Sequence, residues 1–428
     1  MCLWLNEENC LETQADHRSF RNYMSFFAGQ QVSLLGSSVA QFVVIWWITI
    51  QTQSTWYLAL AMIAGFAPMI ALTPVAGVYV DRSSRKMVIG VVDFLQALST
   101  VFLILLFWSG IASIWTILLL LAFRSACQAF HLPAVQAIIP LMVPRDKLSR
   151  LNGLSYLLNG VMTFIGPIVA AVLLTFLAID QILWVDPATF IIALIPLLLM
   201  RIPSVKTEHE KSSFKKAFVE GLSFIRKTRG MVPVIAMATV LNFLIMPLAT
   251  LLPYYIKYDH LGGAAELAIV MAASQAGMFI GGAVMLALKE LKRKMVVILV
   301  TLLTSFVGYA LVGLTPLGRF WFMAVGAFVL DFFVAPTNIS FRTILQVAIP
   351  AEMQGRVNSV TMALATAASP LGMIVSGALA SYTGTANLFL GCAVAGTVVL
   401  LFFWFFTDMR YVEETKQASP NQSQQVQD

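Results

Sequence analysis

Long apolar runs, broken at short polar intervals, organise this chain from residue 22 to residue 407. Read as helices they give twelve spans, at 22–50, 56–80, 87–108, 113–140, 150–177, 182–201, 231–257, 265–288, 295–314, 319–348, 356–382 and 386–407. Each holds about 20 or more mainly apolar residues, the length a helix needs to cross a bilayer core. The longest run past that core or tilt within it. Polar residues that enter a span keep to one face. Span 1 carries Gln30, Ser33, Ser37 and Gln41, span 5 carries Asn152, Ser155, Asn159 and Thr163, and span 11 carries Asn358, Thr361 and Ser369. Such stripes serve a wet cavity or tight helix packing, and spacing leaves both open.

The pattern also repeats. The stretch Phe130–Gly153, FHLPAVQAIIPLMVPRDKLSRLNG, returns in altered form as FVAPTNISFRTILQVAIPAEMQGRVNS, Phe333–Ser359. Pro133 answers Pro336, Val143-Pro144 answers Ile349-Pro350, Asn152 answers Asn358, and Gly166-Pro167 answers Ser369-Pro370. Lys86-Met87-Val88-Ile89 is echoed by Lys294-Met295-Val296-Val297. Two copies of a six-span unit account for this. Six is an even number of crossings, so both copies take the same orientation, related by a pseudo-twofold axis along the membrane normal. The expected organisation is an N-terminal segment 1–21, a six-helix bundle 22–201, a central loop 202–230, a second bundle 231–407 and a disordered tail 408–428. In the central loop Ser212 caps a candidate helix with Phe214, Phe218, Leu222 and Ile225 on one face and lysines on the other. It reads either as a helix lying on the inner leaflet or as a plain tether.

Composition agrees with the spans: 59% of residues are hydrophobic, 11% are charged and mean hydropathy is +0.83, far from the quarter-charged make-up of soluble domains. Charge then sets orientation. Arg82, Arg85, Lys86, Arg145, Lys147 and Arg150 lie in the breaks after spans 2 and 4. Lys206, Lys211, Lys215, Lys216, Arg226, Lys227, Arg229, Lys289, Lys292, Arg293 and Lys294 follow on the same side, against Lys257 and Arg319 on the other. The positive-inside rule puts both termini in the cytoplasm of a multi-pass plasma (inner) membrane protein. The net charge of +6 is this asymmetry, and a nucleic-acid partner is not needed to explain it. Glu7, Glu8, Glu12 and Asp16 precede the first apolar run, which argues against a signal peptide. Cys2, Cys10, Cys127 and Cys392 have neither metal-ligand nor redox spacing, and the four histidines form no metal motif. A phosphate loop, a zinc-protease motif and a nucleophile elbow are all missing, so no enzyme activity, cofactor or metal is expected.

Between spans 2 and 3 stands Gly77-Val78-Tyr79-Val80-Asp81-Arg82-Ser83-Ser84-Arg85-Lys86. A small residue lets helices approach, a carboxylate suits a helix N-terminus, and arginines hold a gate against carboxylates or carbonyls. The segment resembles the cytoplasmic signature of the major facilitator superfamily, G-x-x-x-D-R-x-x-R-[KR]. The resemblance implies an all-α membrane fold, two six-helix bundles, and a gate made by Gly77, Asp81, Arg82, Arg85 and Lys86, with Asp81 docking near Asn358. The second copy, from Gly282 to Lys289-Glu290-Leu291-Lys292-Arg293-Lys294, lacks the Asp-Arg pair, so the latch is expected mainly in the first half.

Span 4 carries Arg124, with Gln128 and His131 four and seven residues on, along one helix face. A mid-span arginine is costly in lipid and should face protein or water. Its position is similar to the mid-helix arginine of proton-linked facilitators. His131 reads equally as a cavity group or a packing histidine. The SACQAFHLP segment, Ser125–Pro133, with the later LMVP, resembles the macrolide-efflux branch of the drug:proton antiporters. Gly166-Pro167 in span 5 is similar to the antiporter kink motif, although Ala170-Ala171 stand where paired glycines usually follow.

Acids within spans are few. Asp331 sits mid-span 10, with Asn338 and Arg342 at seven and eleven residues on the same face, and it ranks first as proton carrier. Asp93 in span 3 and Asp186 in span 6 are further candidates. The resemblance makes those helices peripheral supports, which favours structural ion pairing for both. The substrate cavity is expected to draw on Gln30, Ser37, Gln41, Gln128, His131, Asn159, Asn242, Met246, Asn338 and Arg342, with Phe66, Met69 and Tyr254 as further wall residues. Plain helix packing serves any one of these as well. The function expected is proton-coupled efflux of amphiphilic drugs such as macrolides by alternating access. Alternatives are a siderophore exporter or a lysophospholipid flippase on the same fold, and a transport-dead receptor or scaffold. The partners expected are a small amphiphilic substrate, protons and the bilayer, with the chain working as a monomer.

Overall fold

The computed structural model describes residues 17–200, 214–288, 293–350 and 353–414. Among these the chain is helical, without a strand. Twelve helices are long and apolar enough to cross a membrane. They are α1 His17–Thr52, α2 Thr55–Arg82, α3 Arg85–Trp108, α4 Ile114–Met142 and α5 Arg145–Leu173. They continue with α6 Ile179–Leu199, α7 Met231–Asp259, α8 Ala264–Ala287, α9 Lys294–Gly313, α10 Phe320–Ala348, α11 Gln354–Thr383 and α12 Thr385–Phe406. A connector helix spans Phe214–Lys227.

The repeat seen in sequence is also a repeat of backbone geometry. Val143 closes α4 at φ −111°, ψ 125°, and Ile349 closes α10 at φ −105°, ψ 125°. Each precedes a proline, whose ring drives the residue before it out of the helical region. The second proline pair behaves differently. Pro167 lies inside an unbroken α5, whereas α11 breaks at Ala368 and restarts at Ser369 with Pro370 in its first turn.

The chain divides into two compact units. Unit 1 comprises Met1–Gln51 and Leu60–Thr207; unit 2 comprises Thr52–Ala59 and Glu208–Asp428. This departs from the expected 22–201 bundle, because the first turn of α2 packs on α11. Thr55 Oγ1 donates to the Gly377 carbonyl at 2.9 Å, and a Cβ on Gly377 would lie 2.6 Å from the Ala59 side chain. In unit 1 a buried cluster including Tyr23, Phe26, Ile89, Ile138, Met142 and Leu197 closes one end. There Lys86 Nζ donates to the carbonyls of Leu198 and Met200, each at 2.7 Å, placing a cation on the negative end of the α6 dipole.

In unit 2, α10 packs against both α8 and α9, and glycines set both crossings. A Cβ on Gly308 would meet the Gly326 carbonyl at 2.8 Å, and one on Gly326 would meet the Gly308 carbonyl at 3.0 Å. Gly277 and Gly281 of α8 face the backbone of Phe328 and Phe332 in the same way.

Two elements differ from the simplest reading of their sequence. The connector helix packs part of its apolar face on α11. Ile225 is buried, Gly221 lies against the Arg356 backbone, and Glu220 pairs with Arg356 at 2.5 Å. An amphipathic stripe needs an apolar partner, and α11 supplies it before the bilayer can. The tail is also ordered further than hydropathy suggested, because Asp408–Glu414 forms a 3₁₀ hook. Met409 and Val412 are buried, Asp408 pairs with Arg229 at 3.2 Å, and Arg229 lies over the Tyr411 ring at 4.3 Å. Residues 415–428 and the Lys206–Lys211 stretch lie outside the described residues, as do the side chains of Lys215 and Lys216. Glu413 takes the first amides of α9, from Lys294 at 2.6 Å and Met295 at 3.2 Å. Glu413→Ala is expected to lower stability by about 1 kcal/mol, as lost helix caps do. An unchanged melting temperature in detergent would contradict the cap.

Candidate functional site

Unit 1 encloses a cavity of about 370 Å³, at the small end of the range for ligand pockets. Its walls come from α1 to α6, and its polar groups come mainly from α1, α3 and α4. The α4 face foreseen from spacing is the one turned inward, with Arg124, Gln128 and His131 all lining the space. Gln30, Ser37 and Gln41 of α1 line it too, and so do Phe66 and Met69 of α2. Ser125 Oγ accepts from the Met69 amide at 3.1 Å, tying α4 to α2.

α3, expected as a peripheral support, contributes Asp93, Gln96, Ser99 and Thr100 to the wall. Gln96 and Thr100 were missed by sequence reasoning, yet the signal was present. They follow Asp93 at three and seven residues, one helical face in an otherwise apolar span.

Two charged clusters occupy this cavity. In the first, Arg124 Nη1 donates to Asp186 Oδ2 at 2.8 Å, to the Gln96 carbonyl at 3.1 Å and to Thr100 Oγ1. Asp186 is 5% exposed and also accepts from Ser37 Oγ at 2.7 Å and Thr100 Oγ1 at 2.5 Å. Three donors on one buried carboxylate and three acceptors around Arg124 Nη1 offset the cost of burying the pair. In the second, Asp93 accepts from Gln30 Nε2 at 3.1 Å. His131 Nε2 stands 3.1 Å from the other carboxylate oxygen, but without the alignment of a hydrogen bond.

The remaining candidates are scattered. Asn159 lies off the cavity and accepts from Gln31 at 3.1 Å. Gly166 and Pro167 are buried, and a Cβ on Gly166 would fall 2.6 Å from Ser38 Cβ, so α5 comes close to α1 there. Ala170 and Ala171 are also buried. A Cβ on Gly77 would meet nothing within 4 Å. The side chains of Asp81 and Arg82 lie outside the described residues, and Arg85 opens α3.

In unit 2, Asp331 accepts from Ser274 of α8 and makes no ion pair among the described residues. Arg342 shares its helix but lies about 16 Å along it at 1.5 Å per residue, so it is not the cation tuning Asp331. Asn242 donates to the Ala238 carbonyl of its own helix at 2.9 Å, and Met246 packs on Gly372. Asn338 and Arg342 are exposed. A hollow of about 420 Å³ in unit 2 lies instead at the end of α7, with Tyr254, Asp259, His260 and Thr385 on its wall. Burial pushes the His260 pKa below the usual histidine value, opposed by the Asp259 charge and the Pro316 carbonyl.

Twelve spanning helices, a bundle repeated along the chain, and charged groups held inside a spanning unit describe a transporter better than any soluble class. The sequence profile of the Major Facilitator Superfamily matches residues 26–368 and 290–426. The chain belongs to the major facilitator superfamily. As a member it is a multi-pass membrane protein with the fold of transporters, which are not enzymes. It is 28% identical over 382 residues to Macrolide efflux protein A of Streptococcus pyogenes, covering 88% of this chain and 93% of that protein. It is 25% identical to the multidrug efflux pump Tap of Mycolicibacterium fortuitum, over 78% of this chain and 83% of that one. Among solved structures, a bacterial homologue of the iron transporter ferroportin in an inward-facing state superposes with a TM-score of 0.67. At 14% identity over 90% of this chain and 98% of that one, it speaks for the fold alone.

Proposed function

We propose that this superfamily member exports amphiphilic drugs, macrolides among them, in exchange for protons. The observation carrying the reading is the unit 1 cavity. It combines an apolar and aromatic wall with two charged clusters, in a chain similar to Macrolide efflux protein A along most of its length. Met69 and Phe66 suit bulky, varied ligands because such side chains repack readily. Asp331 is the first proton carrier in this reading, with Arg124, Asp186 and Asp93 as further proton-coupling residues. The protein works as a monomer in the plasma membrane with both termini in the cytoplasm. Arg85 and Lys86 belong to its cytoplasmic gate, and Gly166-Pro167 to its antiporter kink. Proton entry supplies about 2.3 kcal/mol per charge for every 100 mV of membrane potential.

Expression in a host stripped of its own efflux pumps is expected to raise the inhibitory concentration of erythromycin several-fold. In everted vesicles, erythromycin accumulation should follow an imposed proton gradient, collapse with a protonophore and vanish in Asp331→Asn. Unchanged sensitivity to macrolides and cationic dyes would retire export, and accumulation indifferent to the protonophore would retire the proton.

A further inference from the structure

The two charged clusters of unit 1 are not equivalent. Asp186 is saturated by Arg124, Thr100 and Ser37 and lies behind the cavity wall. Arg124 is correspondingly committed, since it holds a carboxylate, a carbonyl and a hydroxyl. Asp186 has no free face for a ligand, and Arg124, though it lines the cavity, already has its charge balanced by Asp186. Asp93 lines the cavity itself, with one firm neutral partner, Gln30, and one charged contact, His131, that is close but misaligned. The contact a ligand can most readily displace is therefore the imidazole. Both groups are mostly buried, at 15% and 12% side-chain exposure, so the carboxylate cannot be left for water alone without cost.

We propose that Asp93 is the cation-recognition group of the unit 1 cavity and His131 its exchangeable counter-charge, so that a protonated imidazole and a ligand ammonium compete for one carboxylate. The site thus selects protonated amines and other organic cations among amphiphiles. Macrolides carrying a tertiary amine fall in this class, and the cavity has room for the cationic end of such a molecule. The inference rests on the export reading for its purpose, and adds a proton site separate from Asp331.

The surroundings single out this pair. Asp93, Arg124 and His131 are the titratable groups on the cavity wall, with Asp186 of α6 behind Arg124. Cys127 of α4 is buried on the same stretch. From α1 the facing group is the neutral Gln30, with Tyr23 in the core cluster below. Thr163 of α5 is uncharged, and Tyr79 of α2 meets the Phe130 ring edge-on next to His131. Arg124 is already paired with Asp186, and of Asp93 and His131 the imidazole is assigned the proton that leaves on arrival of a cation. Histidine is also the side chain whose charge changes near neutral pH.

The test uses the purified full chain and tetraphenylphosphonium, whose charge is independent of pH, so any pH dependence belongs to the protein. Wild-type affinity is expected to rise about tenfold between pH 5.5 and 7.5, and binding at pH 6 in weak buffer should release about one proton per ligand, as linkage demands. His131→Gln should bind with little pH dependence and release none, and Asp93→Asn should bind at least about tenfold more weakly. Wild-type binding without proton release, release persisting in His131→Gln, or full affinity in folded Asp93→Asn would each overturn the proposal. Binding by purified protein needs no transport. Failure of export with intact cation–proton exchange counts against the export reading alone, and export with pH-independent binding counts against this site alone.

Discussion

Replacing Arg124 with leucine is expected to destabilise unit 1 by about 3–5 kcal/mol, the usual cost of stranding one partner of a buried ion pair. Asp186 would keep Ser37 and Thr100 but lose the one positive charge paired with it among the described residues. Thr100 would be left bonding a carboxylate with no guanidinium behind it. The double variant Arg124→Met with Asp186→Leu is expected to recover most of that loss, because exchanging a buried pair for well-packed apolar groups is often neutral or better. Thermal unfolding in detergent, followed by tryptophan fluorescence, reads both. Equal melting temperatures for wild type and Arg124→Leu would mean that water reaches the pair. A recovered double variant that still fails to export erythromycin would separate the pair's part in transport from its part in folding.

Gly308→Val is expected to yield no monodisperse protein. The atoms a Cβ would meet at Gly308 are main chain of the neighbouring helix, the Gly326 carbonyl at 2.8 Å and Leu330 Cα at 2.9 Å. Overpacking typically costs about 1–3 kcal/mol when side chains can shift, and here they cannot give way because backbone is the obstacle. In lipid, helix association depends on just such close approach by small residues. Gly282 provides the control, since a Cβ there meets nothing within 4 Å, and Gly282→Val should be recovered in normal yield. Size-exclusion profiles of the two variants side by side decide the matter, and a well-behaved Gly308→Val would mean that α9 and α10 can separate.

What could be read in advance depended on whether the signal was local. The twelve helices follow from run length and composition, and the paired breaks at Val143 and Ile349 follow from the prolines after them. Arg124, Gln128 and His131 share a face by spacing, and spacing also marked it as costly in lipid. Their partners are a different matter. Asp186 is 62 positions from Arg124, and Asp93 is on a helix that the family resemblance had set aside. Only three-dimensional packing joins them. The connector helix shows the same limit from another side. An amphipathic stripe reads alike for lipid and for protein, and Gly221 and Ile225 settle on α11 because that helix is tethered nearby. The hook was hidden because Asp408–Glu414 mixes two buried apolar residues with charges, a pattern that averages out in any hydropathy window.

That hook also sets an order of events. Gly230 opens α7 in a left-handed turn at φ 78°, and Asp408 and Val412 cover it so closely that a Cβ would lie 2.6 Å from Val412 Cγ2. The residues that seat this turn are synthesised about 180 positions later. At about 5–20 residues per second that is a wait of roughly 10–40 s. Throughout it the start of α7 stands uncovered in the nascent chain, and the first amides of α9 wait for Glu413 over the last 119 positions. Closure of the second bundle therefore waits on Asp408–Glu414, and a polypeptide stopped at Thr407 would emerge with every spanning helix made and this fastening missing.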